Sequence, residues 1–182
     1  YEFLDGIVET IYTVVGDPTS PASLQLLERT LREVTQEMPR ESYQTDRINT
    51  LRGIMRFQFG DAADKILSGA YVTGKYPFWK ILCDKTQLGM LTGERGMVSL
   101  TLEGAEKLMQ ADSRTVEIED FSLKGNLFAV GVLDADPDIR IGDDVAICHK
   151  GELRGVGVAL MPGSDMRFLK RGIAVKVRHK TK

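Results

Sequence analysis

The stretch GNLFAVGV at residues 125–132, continued by DPDIRIGDDV at residues 136–145, decides the fold of the C-terminal third of the chain. Two further runs close this region, GELRGVGVA at residues 151–159 and KRGIAVKVR at residues 170–178. Short runs rich in Val, Ile and Ala are broken at close intervals by Gly, Asp and Pro. Each run has the length and composition of a strand and each break has turn residues. The pattern therefore predicts a small antiparallel barrel.

The residues ahead of the barrel predict a mixture of helices and strands. One helix begins at Ser20-Pro21, where a capping hydroxyl precedes a proline suited to the first helical position, and Pro39 stops it. Apolar residues at helical spacing predict a second helix over residues 40–60 and a short one over residues 61–67. Residues 1–16 carry apolar side chains at mixed helical and strand spacing.

Strand-like runs follow between Tyr71 and Leu100, separated by turns that are rich in Gly and Asp. A helix capped by Thr101 comes next, and a short helix that Ser164 would cap interrupts the barrel. The sequence therefore predicts an α+β domain followed by an all-β barrel with one short helix. The predicted divisions are a helical extension (1–43), the α+β domain (44–112) and the barrel (114–182).

The charge distribution points to a basic C-terminal end. The 182 residues have a formal net charge of −2, which is not typical of a nucleic-acid-binding protein. No acidic side chain follows Asp165, however, and this end of the chain is rich in Lys and Arg. Charge alone leaves open whether this is a solvated tail or a surface for phosphate, and the barrel context favours phosphate. No apolar run is long enough to span a bilayer, so we expect no membrane contact.

The residues that could support catalysis or metal binding are few. Cys83 and Cys148 stand alone, so the sequence predicts reduced thiols and no zinc site, with a single disulfide as the alternative. With only two histidines, no Ser-His-Asp or Cys-His set is indicated. The aspartates between residues 134 and 144 do not have the spacing of an EF-hand. We interpret them as turn residues that accept backbone N–H groups around Pro137 and Gly142, with a divalent-cation site as the alternative.

The order of the barrel segments resembles a PUA domain, a compact RNA-binding module. Several glycines, the IRIGDDV turn at residues 139–145 and the KRGIAVKV strand at residues 170–177 carry this resemblance. In PUA domains the glycine-rich early segment and the last strand lie side by side and bind the end of an RNA stem. The resemblance therefore implies a pseudo-barrel fold and an RNA partner.

The preceding domain extends the resemblance to a group of archaeal enzymes. DRINTLRGIMRFQFGDAADKIL (residues 46–67), the sheet region that begins with GKYPFWKILC at residue 74, and TLEGAEKL (residues 101–108) occur in this order. The same order is found ahead of the PUA domain in archaeal tRNA-guanine transglycosylase and archaeosine synthase. These proteins make archaeosine in the D-loop of archaeal tRNA. The similarity extends from about residue 44 to residue 180.

This chain departs from the family in its chemistry. The catalytic aspartates and cysteine-rich zinc site of the transglycosylase, and the PCxxKPY-like motif of the synthase, have no counterpart here. The chain therefore resembles the RNA-binding half of such a protein, either as a separate subunit or as part of a longer chain. We expect no catalytic site, no metal and no cofactor in this chain, a cytoplasmic location, and a catalytic subunit or domain of the archaeosine pathway as partner.

Phosphate recognition needs Lys or Arg together with backbone that RNA can approach, and two segments combine these features. One is Lys124-Gly125-Asn126 and the other is Lys170-Arg171-Gly172, at the start of the last strand. Along that strand Lys176 and Arg178 are predicted to project from one face, because side chains two apart share a face. By the family resemblance these residues would contact the acceptor stem and the 3′ end of tRNA. The predicted RNA-binding residues are Lys124, Gly125, Asn126, Arg167, Lys170, Arg171, Gly172, Lys176 and Arg178.

Three questions stay open at this level. Trp79, Tyr76 and Phe78 could stack on bases or pack in the core. The chain could modify tRNA by itself, or it could be a PUA protein of ribosome assembly. The oligomeric state is not indicated.

Overall fold

The computed structural model describes residues 20–37 and 43–181. The chain forms two compact units, residues 1–41 and residues 42–182. Helix α1 (Pro21–Glu37) is the described part of the first unit. Ser20 Oγ accepts a hydrogen bond from Ser23 N at 3.2 Å, and Pro21 is the first helical residue, which confirms the predicted helix start. The expected apolar element over residues 1–16 lies outside the described residues.

The second unit begins with three helices and a four-stranded antiparallel sheet. The helices are α2 (Tyr43–Phe59), α3 (Ala62–Leu67) and α4 (Leu102–Gln110). The strands are β1 (Tyr71–Thr73), β2 (Lys80–Cys83), β3 (Thr86–Thr92) and β4 (Met97–Leu100), in the order β1-β2-β3-β4. Thr101 caps α4 by accepting from Gly104 N at 3.3 Å, as the sequence predicts.

A six-stranded sheet forms the rest of the unit, in the order β6-β10-β9-β8-β5-β7. Its strands are β5 (Thr115–Ile118), β6 (Leu127–Phe128), β7 (Val132–Ala135), β8 (Asp144–His149), β9 (Glu152–Ala159) and β10 (Ile173–Lys180). Helix α5 (Gly163–Phe168) and a 3-10 turn (Ala129–Gly131) interrupt the strands.

The structure corrects two expectations about the barrel. It is not wholly antiparallel, because β5 runs parallel to β8. A parallel pair needs a long crossover connection, and here β6 and β7 lie between the two strands in the sequence. Ser164 does not cap α5, since the residue at the N-cap position is Pro162 and the helix starts at Gly163. A Cβ on Gly163 would lie 1.9 Å from the carbonyl oxygen of Asp136, so only glycine fits there.

Two hydrophobic clusters form the interior of this unit. The first joins α2, α3 and α4 to the four-stranded sheet, and it also contains Ala146 of β8 and Val156 of β9. The second fills the inside of the barrel, with Ile118, Ile147 and Met166 among its fully buried members. Because two barrel strands contribute to the first cluster, residues 43–112 and the barrel share apolar packing.

Arginine side chains add polar contacts between the four-stranded sheet region and the barrel. Arg114 Nε donates to the carbonyl oxygen of Gln58 at 3.1 Å, and Arg140 donates to that of Phe57. Arg95 donates to the carbonyl oxygen of Gly142. These carbonyl groups lie at the end of α2 and at the β8 entry, so the arginines satisfy backbone acceptors that no ladder or helix uses.

Both cysteine thiols are free, with Cys83 half-buried and Cys148 buried. Burial raises the pKa of Cys148 to about 12, and Glu117, whose Oε2 lies 3.2 Å from the sulfur, adds to the rise. Cys148 is therefore a protonated thiol at neutral pH and a poor nucleophile.

We expect Gly104→Ala to lower the free energy of unfolding by about 2 kcal/mol, the cost of inserting a methyl group into filled space. A Cβ there would lie 1.9 Å from the carbonyl oxygen of Leu88. At Gly53 in α2 no atom lies within 4 Å of the same position, so Gly53→Ala should raise stability by up to ~1 kcal/mol, the helix propensity of alanine. Urea unfolding followed by circular dichroism compares the two variants. A higher free energy of unfolding for Gly104→Ala would contradict the close approach of α4 to β3.

Candidate nucleic-acid interface

The antiparallel pairing of β6 with β10 places the two segments predicted to bind RNA at the two ends of one short strand pair. Leu127 is opposite Val175 and Phe128 is opposite Ile173 in this antiparallel pair. Ala129 N extends the contact by donating to Gly172 O at 3.0 Å. Lys124-Gly125-Asn126 leads directly into β6, and Lys170-Arg171-Gly172 leads into β10. The expectation that the early glycine segment lies beside the last strand is thereby confirmed.

The turn between α5 and β10 presents two cations on a constrained backbone. Leu169 N donates to Asp165 O at 2.8 Å at the C-terminal end of α5. Lys170 and Arg171 follow, and both are exposed. Gly172 has a φ of +91°, a conformation that L side chains rarely adopt, so glycine is required for the chain to enter β10. The turn therefore holds two positive charges next to the backbone of the 3-10 turn.

The entry to β6 offers backbone that a ligand can approach. Lys124, Gly125 and Asn126 are all exposed, and no atom lies within 4 Å of a Cβ built on Gly125. On β10 the next residue after buried Val175 is Lys176, which is exposed and lies at the end of the β6 pairing. Lys124 and Lys176 thus extend the positive charge beyond the α5–β10 turn.

Arg167 on α5 lies three positions before the basic turn in the sequence and forms an exposed ion pair with Asp134 of β7. Its Nε is 2.8 Å from Asp134 Oδ1, and both side chains are largely in solvent. Such a pair contributes less than about 1 kcal/mol, so a phosphate can compete with Asp134 for this guanidinium.

Arg178 has a different environment, contrary to the expectation that it shares one solvent-facing surface with Lys176. Its side chain is 23% exposed, and its guanidinium donates to the fully buried carboxylate of Asp144 and, at 3.1 Å, to Leu100 O. The β-bulge between Val177 and His179 interrupts the alternation of side chains on β10. Arg178 therefore connects the barrel to β4, and the structure does not bring it to the surface formed by the other cations.

Sequence reasoning missed an exposed aromatic side chain on this surface. Phe128 of β6 is 54% exposed and lies opposite Ile173, one residue from the basic turn. Val130 and Phe168 are also exposed nearby in the 3-10 turn and at the end of α5. The alternation along β6 was a usable signal, because Leu127 points into the core and its neighbour must then point outward. An exposed ring beside cations suits the stacking of an unpaired base.

A comparison with known families assigns this fold. Residues 115–181 match the PUA domain. The chain therefore contains a PUA domain. Its β6–β10 pair and α5–β10 turn are the elements that carry the surface described above.

The chain is also similar to archaeal proteins of tRNA modification. It is 33% identical over 180 residues to archaeosine synthase subunit alpha of Methanosarcina acetivorans, covering 94% of this chain and 29% of that protein. It is 38% identical over 148 residues to tRNA-guanine(15) transglycosylase of Pyrococcus abyssi, covering 72% of this chain and 25% of that protein. The chain thus spans less than a third of the length of these curated relatives.

A solved structure supports the same assignment. The crystal structure of AF0587, a protein of unknown function, superposes with a TM-score of 0.65 and 30% identity, over all of this chain and 62% of that one. The resemblance of the sequence to archaeosine synthase and archaeal tRNA-guanine transglycosylase, with a PUA domain at its C-terminal end, is confirmed by these similarities.

Asp136 and Asp143 form turns, as the sequence predicts, whereas Asp134 lies in β7 and Asp144 lies in β8. Asp136 accepts from Arg114 N at 2.6 Å and from Asp138 N at 2.9 Å, and Asp143 accepts from Arg140 N at 3.0 Å. Within residues 20–37 and 43–181, no three or more His, Cys, Asp or Glu side chains are arranged to hold a metal ion. In the same part of the chain, every helix is too short or too polar to cross a membrane.

Proposed function

We propose that this chain binds tRNA as the PUA-containing part of a protein that makes archaeosine. It docks the acceptor stem and 3′ end of the tRNA and so positions the nucleotide to be modified for a catalytic subunit or domain, in the cytoplasm. The similarity to archaeosine synthase subunit alpha and to tRNA-guanine(15) transglycosylase supports the pathway. The paired β6 and β10, with cations at both ends, support the mode of binding.

The basic turn is the observation that carries this proposal. Lys170, Arg171 and Lys176 are exposed. Gly172 allows the positive φ of the turn, and Phe128 of β6 lies opposite Ile173 of β10. Cations at fixed positions contact phosphates, and an exposed ring accepts an unpaired base. An acceptor arm has both features, a duplex end and an unpaired 3′ tail. The other expected sites, Lys124, Gly125, Asn126 and Arg167, border the same surface and belong to the proposed interface, whereas Arg178 does not.

Fluorescence anisotropy with three labelled RNAs tests the proposal: a whole archaeal tRNA, a hairpin of its acceptor arm with the 3′ tail, and a hairpin of its anticodon arm. We expect the acceptor hairpin to keep most of the affinity of the tRNA, and the anticodon hairpin to bind at least about 10-fold more weakly. Affinity should fall linearly on a log–log plot between about 50 and 200 mM salt, because phosphate contacts release counterions. Equal affinity for both hairpins, or no salt dependence, would rule out acceptor-arm docking.

Mass spectrometry tests the alternative that the chain itself modifies tRNA. tRNA incubated with the purified chain and a 7-deazaguanine precursor should be recovered unchanged. A modified product without any added subunit would replace this proposal with an enzymatic one.

A further inference from the structure

The segment from Gly74 to Lys80 presents two aromatic side chains to solvent, outside the PUA domain. Tyr76 is 72% exposed and Phe78 is 59% exposed, whereas Trp79 is only 8% exposed and belongs to the first hydrophobic cluster. The sequence does not show which of the three aromatic residues pack in the core, and the structure buries Trp79 and exposes Tyr76 and Phe78. Exposing two large rings within three residues has a cost in water, so the two rings suggest a ligand.

Trp79 fixes the end of this segment to the domain. Its carbonyl oxygen accepts from Leu91 N at 2.8 Å, and the guanidinium of Arg47 lies 5.1 Å from the centre of its ring. Arg47 is buried and also donates to the carbonyl oxygen of Gly74. One arginine of α2 therefore holds both ends of the segment.

The two exposed rings are held in place by the residues around them. The Tyr76 ring packs edge-on against Trp79, with centroids 5.5 Å apart and planes at 70°. Phe78 N donates to Lys75 O at 2.8 Å, which closes a tight turn. Pro77 lies so close to Gly93 that a Cβ there would be 2.9 Å from its Cγ. Rings that are already oriented lose little conformational entropy on binding.

The charge around the rings favours a polyanion. The exposed side chains of residues 74–80 are Tyr76, Phe78, Lys75 and Lys80, and no exposed aliphatic side chain accompanies them. No acidic residue occurs from residue 74 to residue 83. The adjacent turn between β3 and β4 carries the exposed Glu94, and it also carries Arg95, which lies 3.6 Å from the buried Asp144. Aromatic rings with flanking lysines match the bases and phosphates of single-stranded nucleic acid.

We propose that Tyr76 and Phe78 are a stacking site for unpaired bases of RNA, with Lys75 and Lys80 contacting the adjoining phosphates. This inference rests on the proposal that the chain binds RNA, and it adds a second contact region in the α+β domain, separate from the PUA surface. Because every base has a π face, the site accepts single strands with little sequence preference.

The test uses a single-stranded RNA decamer of uridines with one central 2-aminopurine, whose fluorescence is quenched when the base stacks on an aromatic ring. We expect the unaltered chain to quench the probe and the variant Tyr76→Ala/Phe78→Ala to lose the quenching and bind at least about 10-fold more weakly, as base–aromatic contacts do on alanine substitution. The swapped variant Tyr76→Phe/Phe78→Tyr keeps both rings and should behave like the unaltered chain.

Tyr71→Ala is the matched control, since Tyr71 is an exposed aromatic residue of β1 in the same domain. It should leave quenching unchanged, and unfolding midpoints should confirm that the alanine variants fold. An unaltered chain that does not quench the probe overturns the stacking site. So does a Tyr76→Ala/Phe78→Ala variant that still quenches the probe when Phe128, the exposed ring of the PUA surface, is also changed to alanine.

A variant of the PUA surface distinguishes failure of this inference from failure of the proposed function. Lys170→Glu/Arg171→Glu should weaken tRNA binding and leave quenching of the decamer intact. If the unaltered chain quenches the decamer and does not bind tRNA, docking of tRNA through the PUA domain fails and the stacking site stands. If tRNA binds normally and the decamer is not quenched, only the stacking site fails.

Discussion

Replacing Arg178 with methionine should lower the free energy of unfolding by about 3 kcal/mol near neutral pH, the cost of leaving one partner of a buried ion pair alone. Asp144 is fully buried. Its Oδ2 accepts from Leu100 N at 2.8 Å and from Arg178, and its Oδ1 lies 3.6 Å from Arg95 Nη1. Without Arg178, the charge of Asp144 keeps only the hydrogen bond from Leu100 N and the longer contact with Arg95. A drop of about 10 °C in the unfolding midpoint is expected for a chain of this size.

The loss should depend on pH in a defined direction. Burial raises the pKa of Asp144 above its ordinary value of 3.8, while the charge of Arg178, the N–H of Leu100 and the charge of Arg95 act to lower it. The folded chain binds a proton at Asp144 more tightly than the unfolded chain does. The stability that this proton adds is therefore fully present below the ordinary pKa and is lost as the pH rises through the raised pKa of the folded chain. Arg178→Met removes the largest effect that lowers the pKa of Asp144, so this pKa rises further. The pH range between the ordinary and the raised pKa then becomes wider. The deficit should therefore be small near pH 4 and full at neutral pH.

Urea unfolding at both pH values measures this deficit, and two variants interpret it. Adding Asp144→Asn to Arg178→Met should recover at least half of the loss at neutral pH, because the unpaired charge is gone and an amide oxygen can still accept from Leu100 N. Arg154→Met removes an arginine that is similarly exposed but is paired with the exposed Asp120 and Glu152, and should cost less than about 1 kcal/mol. Equal deficits for Arg178→Met at both pH values would show that Asp144 is not the group involved.

Reversing the charge of the α5–β10 turn should have the largest effect on RNA binding. Lys170→Glu/Arg171→Glu is expected to weaken tRNA binding by about 100-fold at moderate salt, because two phosphate contacts become repulsions. The slope of log affinity against log salt should become shallower by about two, since each contact contributes about 0.9. Both side chains are exposed, so folding should be unaffected.

The matched control reverses two exposed lysines of the α+β domain, Lys65→Glu/Lys85→Glu, which gives the same change in net charge. Anisotropy titrations at several salt concentrations should show tRNA affinity within about twofold of the unaltered chain, since these lysines lie outside the proposed contact surfaces. Similar losses in both variants would mean that net charge, and not the turn, determines binding. Arg178→Glu is unsuitable for this purpose, because it would place a second carboxylate beside Asp144.

Local patterns predicted those features that depend on neighbours in the sequence. The caps at Ser20 and Thr101 and the turns built on Asp136 and Asp143 appear in the structure. The pairing of the early glycine segment with the last strand also appears, and it was implied by the family resemblance and not by a local pattern. Ser164 failed as a cap because the close contact between Gly163 and Asp136 O, made across the fold, sets where α5 begins.

Features that depend on distant partners could not be predicted. Nothing in the spacing of Lys176 and Arg178 reveals that Asp144, 34 positions earlier, takes the second cation out of solvent. Likewise, the four positions from Tyr76 to Trp79 contain three aromatic residues, and only the contact of the Trp79 ring with Arg47 and with the first hydrophobic cluster shows which ring enters the core. Strand alternation assigns side chains to faces, but it does not say which element covers each face.

The shared packing of Ala146 and Val156 with the helices of the α+β domain has a consequence for recognition. When a flexible linker joins two contact regions, a ligand bound to the first region meets the second at an effective concentration that falls as the linker becomes longer. Here the PUA surface and the Tyr76–Phe78 loop belong to one compact unit, so no linker entropy separates them. An RNA that reaches both regions forms the second contact without a second bimolecular step, so its affinity increases. An RNA whose spacing does not match the two regions forms only one contact and has no such increase. Selectivity can then arise from the geometry of the RNA without any contact that distinguishes one base from another.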